Sequence, residues 1–518
     1  MPIRARFNSI NKFHILLLAI ICYSLFFSVL CVMQYQAFFS EEWEDLAIYN
    51  QIIWNIAHGN GPYSSIEGSL FYEHPTVYIL YPVALFYAIW PHIYNLFFIV
   101  SVSLGSGAIP VYLLAKRVSK SENIALYAAL LYLMMPLLHF LNLLAFRPVI
   151  LCIPLLLWAF YFFYKNNFKS FILFALLAMS CYETVAFSIA FFGVYAFLIK
   201  RKIQWILTPL ALGVVWLYVS ICIVYPACGY KDWFAVDYIT QFFPAYASKD
   251  SVLKNIINFF LTGDEVWRRI LSNIRYAWQI SGLPFFFLPY LSPLVLVMAL
   301  PGWLLLMLPK SSLNIGEQHW LAPYVPFLMV AAIFGLQKCL FFIKKWKLNY
   351  FKKPFLIVTF FFIFFSNFGN TRYGALCSSD QIHDHRFKNV RNVFNPIFYV
   401  QDDQDKIALK LIAMIPGDAS VCASGDLLPH LSQREHLYEI CGNDDDRLIK
   451  NQVAREDGTI CLSADFILFR IKSIEHGASR TDYDNFESIE RAEKFVKGGY
   501  FTYAAKEGDF LLLKKKAK

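Results

Sequence analysis

The stretch HILLLAIICYSLFFSVLCVMQYQ, residues 14–36, decides the fold. It contains no Asp, Glu, Lys or Arg, and a helix of this length covers the roughly 30 Å hydrocarbon core of a bilayer. Arg4, Arg6 and Lys12 precede it, and no small-x-small cleavage site follows Val32. It therefore reads as an uncleaved anchor with its N-terminus inside, not as a removed signal. Comparable runs recur near 93–115, 123–141, 149–164, 204–226, 320–343 and 354–369, with shorter hairpins near 170–199 and 276–309. A further short apolar run at 75–90 ends at Pro91 and reads as a juxtamembrane helix. Composition agrees: 58% of the 518 residues are hydrophobic and 16% are charged, against about 45–50% and 25% for a soluble domain. A disordered chain and an ordinary cytosolic enzyme are both excluded.

Charge supplies the topology. The net of +9 is not a nucleic-acid stripe, because the basic residues border the apolar runs instead of forming one surface. Lys116, Arg117 and Lys120, then Lys165 and Lys169, then Lys200, Arg201 and Lys202, then Lys344, Lys345, Lys347, Lys352 and Lys353 all fall on the cytoplasmic side in one threading. Of the acids in residues 1–369, only Glu122 falls inside in that threading. The others mark an acidic, outward-facing site.

Composition changes after residue 369. Residues 370–518 hold 21 Lys and Arg against 23 Asp and Glu, enough chain for one small domain. Helices are expected at 406–415 and 487–497, and strands at 420–423, 464–470, 500–505 and 510–514, with a hairpin turn at 506–509. The chain thus divides into a membrane domain, 1–369, with a large first outer loop at 37–92, and an extracytoplasmic α/β domain, 370–518. In the latter, a disulfide among Cys377, Cys422, Cys441 and Cys461 is chemically allowed.

Three segments carry candidate chemistry. The first loop reads EEWEDLAIYNQIIWNIAHGNGP, residues 41–62. Leu46, Tyr49, Ile53 and Ile56 recur at helical spacing, so it is expected to form an amphipathic helix on the membrane surface. Its first turn carries Glu44 and Asp45, either a general base at the lipid boundary or a solvated turn favoured by the helix dipole. Glu183 sits in MSCYET, residues 179–184, near the tip of an apolar hairpin, where a carboxylate is costly unless it meets water or a partner. Arg147 stands at an outer mouth between two spans, suited to a phosphate or to lipid headgroups. His74 and His319 flank other outer helix starts. No spacing fixes a metal site, and Walker A, dinucleotide-binding and G-x-S-x-G motifs are absent from the sequence.

At these residues the chain resembles the bacterial membrane proteins catalogued as domain-of-unknown-function family 2079. The resemblance covers nearly the whole length. It rests on DLAIYNQ at 45–51 with Trp54 and Asn55, on Tyr63-Ser64-Ser65, Glu73-His74, Glu183 and Gln318-His319, and in the tail on LPHLSQR at 428–434 with Tyr438 and on Ala464-Asp465-Phe466-Ile467-Leu468. Asn50, Arg147 and Tyr182 depart from the acid, His and Lys common at those places in the family.

The family's layout is similar to the GT-C glycosyltransferases. That resemblance implies about eleven transmembrane or half-spanning helices and a soluble domain after the last span. It also implies sugar transfer from a polyprenyl-phosphate donor to an acceptor on the outer face of the bacterial cytoplasmic membrane. Asp45 then matches the catalytic acid, with Glu44 its competitor. Tyr49, Gln51, His74, Arg147, Glu183 and His319 would contact substrate. A divalent metal, Mg or Mn, has room in such a reaction without being indicated by spacing. The alternatives are a lipid flippase or transporter working through Glu183, and a scaffold or sensor using His430, Arg434 and Tyr438 as a binding patch.

Overall fold

A computed structural model describes residues 11–38, 43–71, 74–144, 146–229, 267–271, 274, 282–307, 319, 321–366, 399–440, 459–471 and 489–516. The structure is mostly helical. Among the described residues five helices are long and apolar enough to cross a membrane: Lys12–Gln36, Ile93–Ser119, Pro148–Lys165, Ile203–Ala227 and Val325–Lys345. A bent pair makes a sixth candidate, Glu122–Leu133 and Pro136–Leu143 meeting at 44°. The break follows from Pro136, which lacks the N–H that would continue the ladder and holds Met135 in an extended conformation. Shorter apolar helices are Leu80–Ile89, Phe168–Met179, Val185–Leu198 and Pro293–Leu304. Lys352–Ser366 forms the expected last membrane-domain helix. Residues 276–281, 308–309, 320 and 367–369 of the expected spans lie outside the described residues.

The hairpin expected at 170–199 is present, and 180–184 form the turn between its arms. Its second arm crosses Ile203–Ala227 at close range. A Cβ on Gly193 would lie 2.5 Å from the Ile206 carbonyl, and one on Gly213 2.5 Å from the Ala186 carbonyl. Small residues of this kind replace hydrophobic drive with backbone contact between membrane helices.

Lys120, Asn166 and Lys200, each just past the end of a helix, take the left-handed conformation, and Arg201 joins two of these turns by donating to Asn166 Oδ1 and to the Phe163 carbonyl. The tail meets the C-terminal end of the first helix. Gln401 Nε2 donates to the Gln36 carbonyl at 3.0 Å, at the far end of the first helix from Lys12.

The tail is a five-stranded mixed sheet, ordered β4-β3-β5-β7-β6. β3 (Val421–Ala423) runs parallel to β4 (Leu437–Glu439) and to β5 (Phe466–Arg470). β7 (Phe510–Lys515) runs antiparallel to β5 and to β6 (Phe501–Glu507). The expected strands are all present. β4, three residues long, carried no alternation to betray it. The helix expected at 406–415 forms over Asp403–Ala413, started by the reciprocal Asp402–Asp405 capping box. The second spans Ile489–Lys497, and residues 487–488 lie outside the described residues. Cys422 and Cys461 are disulfide-bonded; Cys377 and Cys441 lie outside the described residues.

One expectation is corrected. The first-loop helix, Trp43–Ala57, does not lie open on a lipid surface. Its polar positions Asn50, Gln51 and Asn55 are as buried as Leu46, Ile48 and Ile52. Amphipathic spacing registers the apolar stripe but not a covering domain, and here the tail covers the polar face.

Candidate functional site

The first-loop helix carries two sets of side chains with different partners. Asn50 and Gln51 point to the tail. Asn50 Nδ2 donates to Ser432 Oγ at 2.7 Å, and its Oδ1 accepts from the Tyr87 hydroxyl at 3.0 Å. Gln51 Nε2 donates to Ser65 Oγ at 2.8 Å and to the carbonyls of Arg434 and Glu435 at 3.1 and 3.2 Å. Its Oε1 accepts from Ser64 Oγ at 2.8 Å and from the Ser65 amide at 3.0 Å. Ser64 and Ser65 are held over this helix by the two-residue strands Tyr63–Ser64 and Ser69–Leu70 (β1 and β2), and Asn55 Nδ2 ties the Tyr63 carbonyl at 2.8 Å. The Leu437 amide donates to Ser65 Oγ at 2.8 Å, joining the strand pair to β4. Gln433 completes the seam, its Nε2 donating to the Tyr87 hydroxyl at 2.6 Å and the Pro91 carbonyl at 2.8 Å.

The tail motif of residues 428–434 therefore grips the chain's own first loop. His430 lies between the rings of Tyr35 and Phe38, each centroid 3.9 Å away, and its Nε2 donates to the Tyr35 carbonyl at 3.0 Å. Phe38 takes a left-handed φ of 50° to reach it. Burial pushes the His430 imidazole down to about 3, because a charged ring has no water there. Arg434 is buried and donates to the carbonyls of Leu431 at 2.7 Å and Ala419 at 2.8 Å, and burial draws it down to about 10. Tyr438 sits on β4, packed against the tail's smaller apolar cluster. Gln51, expected beside substrate, instead has both amide atoms engaged in this seam.

The other face of the helix leads to the acids. Asp45 Oδ2 is ion-paired with Arg147 Nη2, both side chains mostly buried. Residues expected to serve as base and phosphate ligand are thus direct partners. Asp45 Oδ1 is buried and accepts no hydrogen bond. A guanidinium carries five N–H donors, so one such cation can hold a carboxylate and orient toward a second anion. Tyr49, one turn after Asp45, stands edge-on to Phe146 at 6.1 Å.

A second buried group forms at the hairpin turn. Glu183 is fully buried, with His74 Nδ1 3.3 Å from its Oε1. His74 Nε2 meets the Tyr182 hydroxyl at 2.9 Å, and Nδ1 meets the Tyr225 hydroxyl at 3.3 Å. The Ile79 amide donates to the Ser180 carbonyl at 3.0 Å, pinning the first loop onto the turn. Tyr225 lies within electrostatic reach of Glu183, Tyr182 and Tyr49, which joins this group to the Asp45 face. Glu44 stands beside Asp45 in the first helical turn. His319 is buried near the start of Val325–Lys345. Glu73 and Gln318 lie outside the described residues. Among the described residues no group of three or more His, Cys, Asp or Glu is placed to hold a metal ion.

Sequence reasoning missed Tyr87 in the seam and Tyr225 beside His74, and it noted Asn50, Tyr182, Ser432 and Gln433 as motif positions without a contact for any of them. The only available signal was polar side chains clustered inside apolar blocks. Fold and site together define a polytopic helical membrane protein whose first loop is buried beneath a small sheet domain. The chain belongs to the family described as predicted membrane protein (DUF2079), whose family model matches residues 14–506. No curated protein matches it.

Proposed function

We propose that this protein is a membrane-embedded glycosyltransferase of GT-C layout. It transfers a hexosyl or pentosyl group from a polyprenyl-phosphate donor to an acceptor at the outer face of the bacterial cytoplasmic membrane. In this reading the N-terminus is inside, the tail outside, and the shorter apolar helices are half-spans that bring the total to about eleven. The observation that carries the reading is the Asp45–Arg147 pair, set where the chain leaves its first span, with Asp45 Oδ1 buried and accepting no hydrogen bond. Asp45 Oδ1 takes the acceptor hydroxyl's proton, and Arg147 stabilises the charge gathering on the departing lipid phosphate. The Cys422–Cys461 bridge supports an oxidising compartment for the tail. The test is label transfer from polyprenyl-phosphate hexoses and pentoses by purified protein, with EDTA arms for metal dependence. Wild type transfers and Asp45→Asn does not; equal transfer by both removes the assignment.

A transporter reading draws on the broken span at Met135 and on the buried Glu183. It predicts that Glu183→Gln stops substrate movement while Asp45→Asn is harmless. Of the patch in the scaffold reading, His430 and Arg434 are hydrogen-bonded within the chain, while Tyr438 is half-buried.

A further inference from the structure

Glu183 is fully buried, and the chemistry of Asp45 and Arg147 gives it no task. Neither of its oxygens accepts a hydrogen bond. His74 Nδ1 stands 3.3 Å from Oε1, but the hydrogen-bond contact of that nitrogen is the Tyr225 hydroxyl, also at 3.3 Å. His74 Nε2 meets the Tyr182 hydroxyl at 2.9 Å. An ionised carboxylate offers about four lone-pair sites, and no hydrogen bond within the chain uses any of those on Glu183. Such a group is costly among membrane helices, and a functional site is its default explanation. The backbone holds it in place for one. The Val185 and Ala186 amides donate to the Tyr182 and Glu183 carbonyls at 3.2 and 3.1 Å, and the Ile79 amide ties the first loop to the same turn.

Charge narrows the ligand. Asp45 and Arg147 neutralise each other. The phosphodiester of a polyprenyl-phosphate sugar adds a negative charge beside them, and Glu183 adds another. A positive charge on the substrate restores the balance, whereas a neutral hydroxyl does not. The surroundings suit a cation: Tyr225 lies within electrostatic reach of Glu183, Tyr182 and Tyr49, and phenol rings attract cations through their faces. A primary ammonium has three N–H donors, enough for both Glu183 oxygens and one phenol oxygen. We propose that Glu183 is a specificity residue that binds a protonated primary amine on the substrate. The inference rests on the sugar-transfer reading and deepens it: either the transferred sugar is an amino sugar, or the acceptor carries the amine.

The experiment measures binding to purified full-length protein in two sets of probes. The donor set is polyprenyl-phosphate glucosamine, N-acetylglucosamine and glucose; the acceptor set is the same three sugars free. In at least one set the amine is expected to bind at least about tenfold more tightly than its acetylated and hydroxyl counterparts. Preference in the donor set places the amine on the transferred sugar, and preference among the free sugars alone places it on the acceptor. Glu183→Gln should erase the preference, and Glu183→Asp, which keeps the charge, should retain part of it. The wild-type comparison needs no variant, so it decides even where Glu183→Gln does not fold. Equal binding within both sets, as expected if His74 is the counter-cation of Glu183, overturns the amine site. So does a preference that Glu183→Gln leaves intact. Label transfer from the same donors separates the two claims. Equal transfer from all three, with no amine preference in either set, overturns the amine site and leaves the sugar-transfer reading standing. No transfer from any donor overturns that reading itself.

Discussion

The two faces of the first-loop helix are both buried and both polar, yet they are built differently. On the tail side, each atom of the Asn50 and Gln51 amides has a protein partner. On the membrane side, Asp45 Oδ1 is buried and accepts no hydrogen bond, and the buried Glu183 has His74 Nδ1 3.3 Å from its Oε1. A closed network fixes one geometry and has no capacity left for a ligand. Carboxylates buried with capacity to spare cost stability and are kept where chemistry needs them. The contrast sets a structural seam on one face against the face that carries the proposed chemistry, across a single helix.

Substitutions can break that contrast. The largest expected effect is at Asp45. Asp45→Asn should cut label transfer by roughly 10²–10⁴-fold and leave the tail docked, checked by an unchanged melting temperature in detergent. Next is the bridge within the tail. Cys461→Ser opens a link across a sequence separation of 39, and the chain-entropy relation gives a loss of about 4 kcal/mol, read by chemical denaturation. Gln51→Ala should come third. It strands the Ser64 hydroxyl, the Ser65 amide and the Arg434 carbonyl in a buried seam, costing roughly 2–4 kcal/mol by the same measurement. Transfer should fall only as far as the tail is released.

The smallest effect is pH-dependent. His430 is neutral in the docked state down to about 3, against an ordinary value of 6.5. The unfolded chain binds a proton there that the folded chain refuses, so the contribution is whole above about pH 6.5. It is lost as pH falls from there toward 3. At about pH 5 the loss is at most about 2 kcal/mol. Melting temperature measured against pH should show this slope in the wild type and lose it in His430→Gln.

The spans were legible because length and apolarity act locally. Lys12–Gln36 and Val325–Lys345 needed no knowledge of the rest of the chain. The helix carrying Asp45 was legible for the same reason, its periodicity lying within one segment. What covers it was not. Asn50 and Ser432 are 382 residues apart, and nothing in either neighbourhood names the other. The bend at Met135 was hidden inside an apolar run, although Pro136 supplied its cause. Glu183 was visible as a charge in an apolar hairpin, whereas its partner His74 came from a different loop. Gln51 was misleading, since a polar residue in a motif near Asp45 reads as a ligand contact until its amide is seen engaged elsewhere.

Docking of the tail on the polar face of this helix is the claim on which the rest stands, and a cysteine pair tests it most directly. Asn50 Nδ2 and Ser432 Oγ are 2.7 Å apart. The double variant Asn50→Cys, Ser432→Cys should therefore cross-link under mild oxidation, joining residues 43–57 to residues 428–440 in a proteolytic digest until reductant is added. The single variants should give no such link. A double variant that stays uncross-linked, with both thiols open to a membrane-impermeant maleimide, would contradict the account.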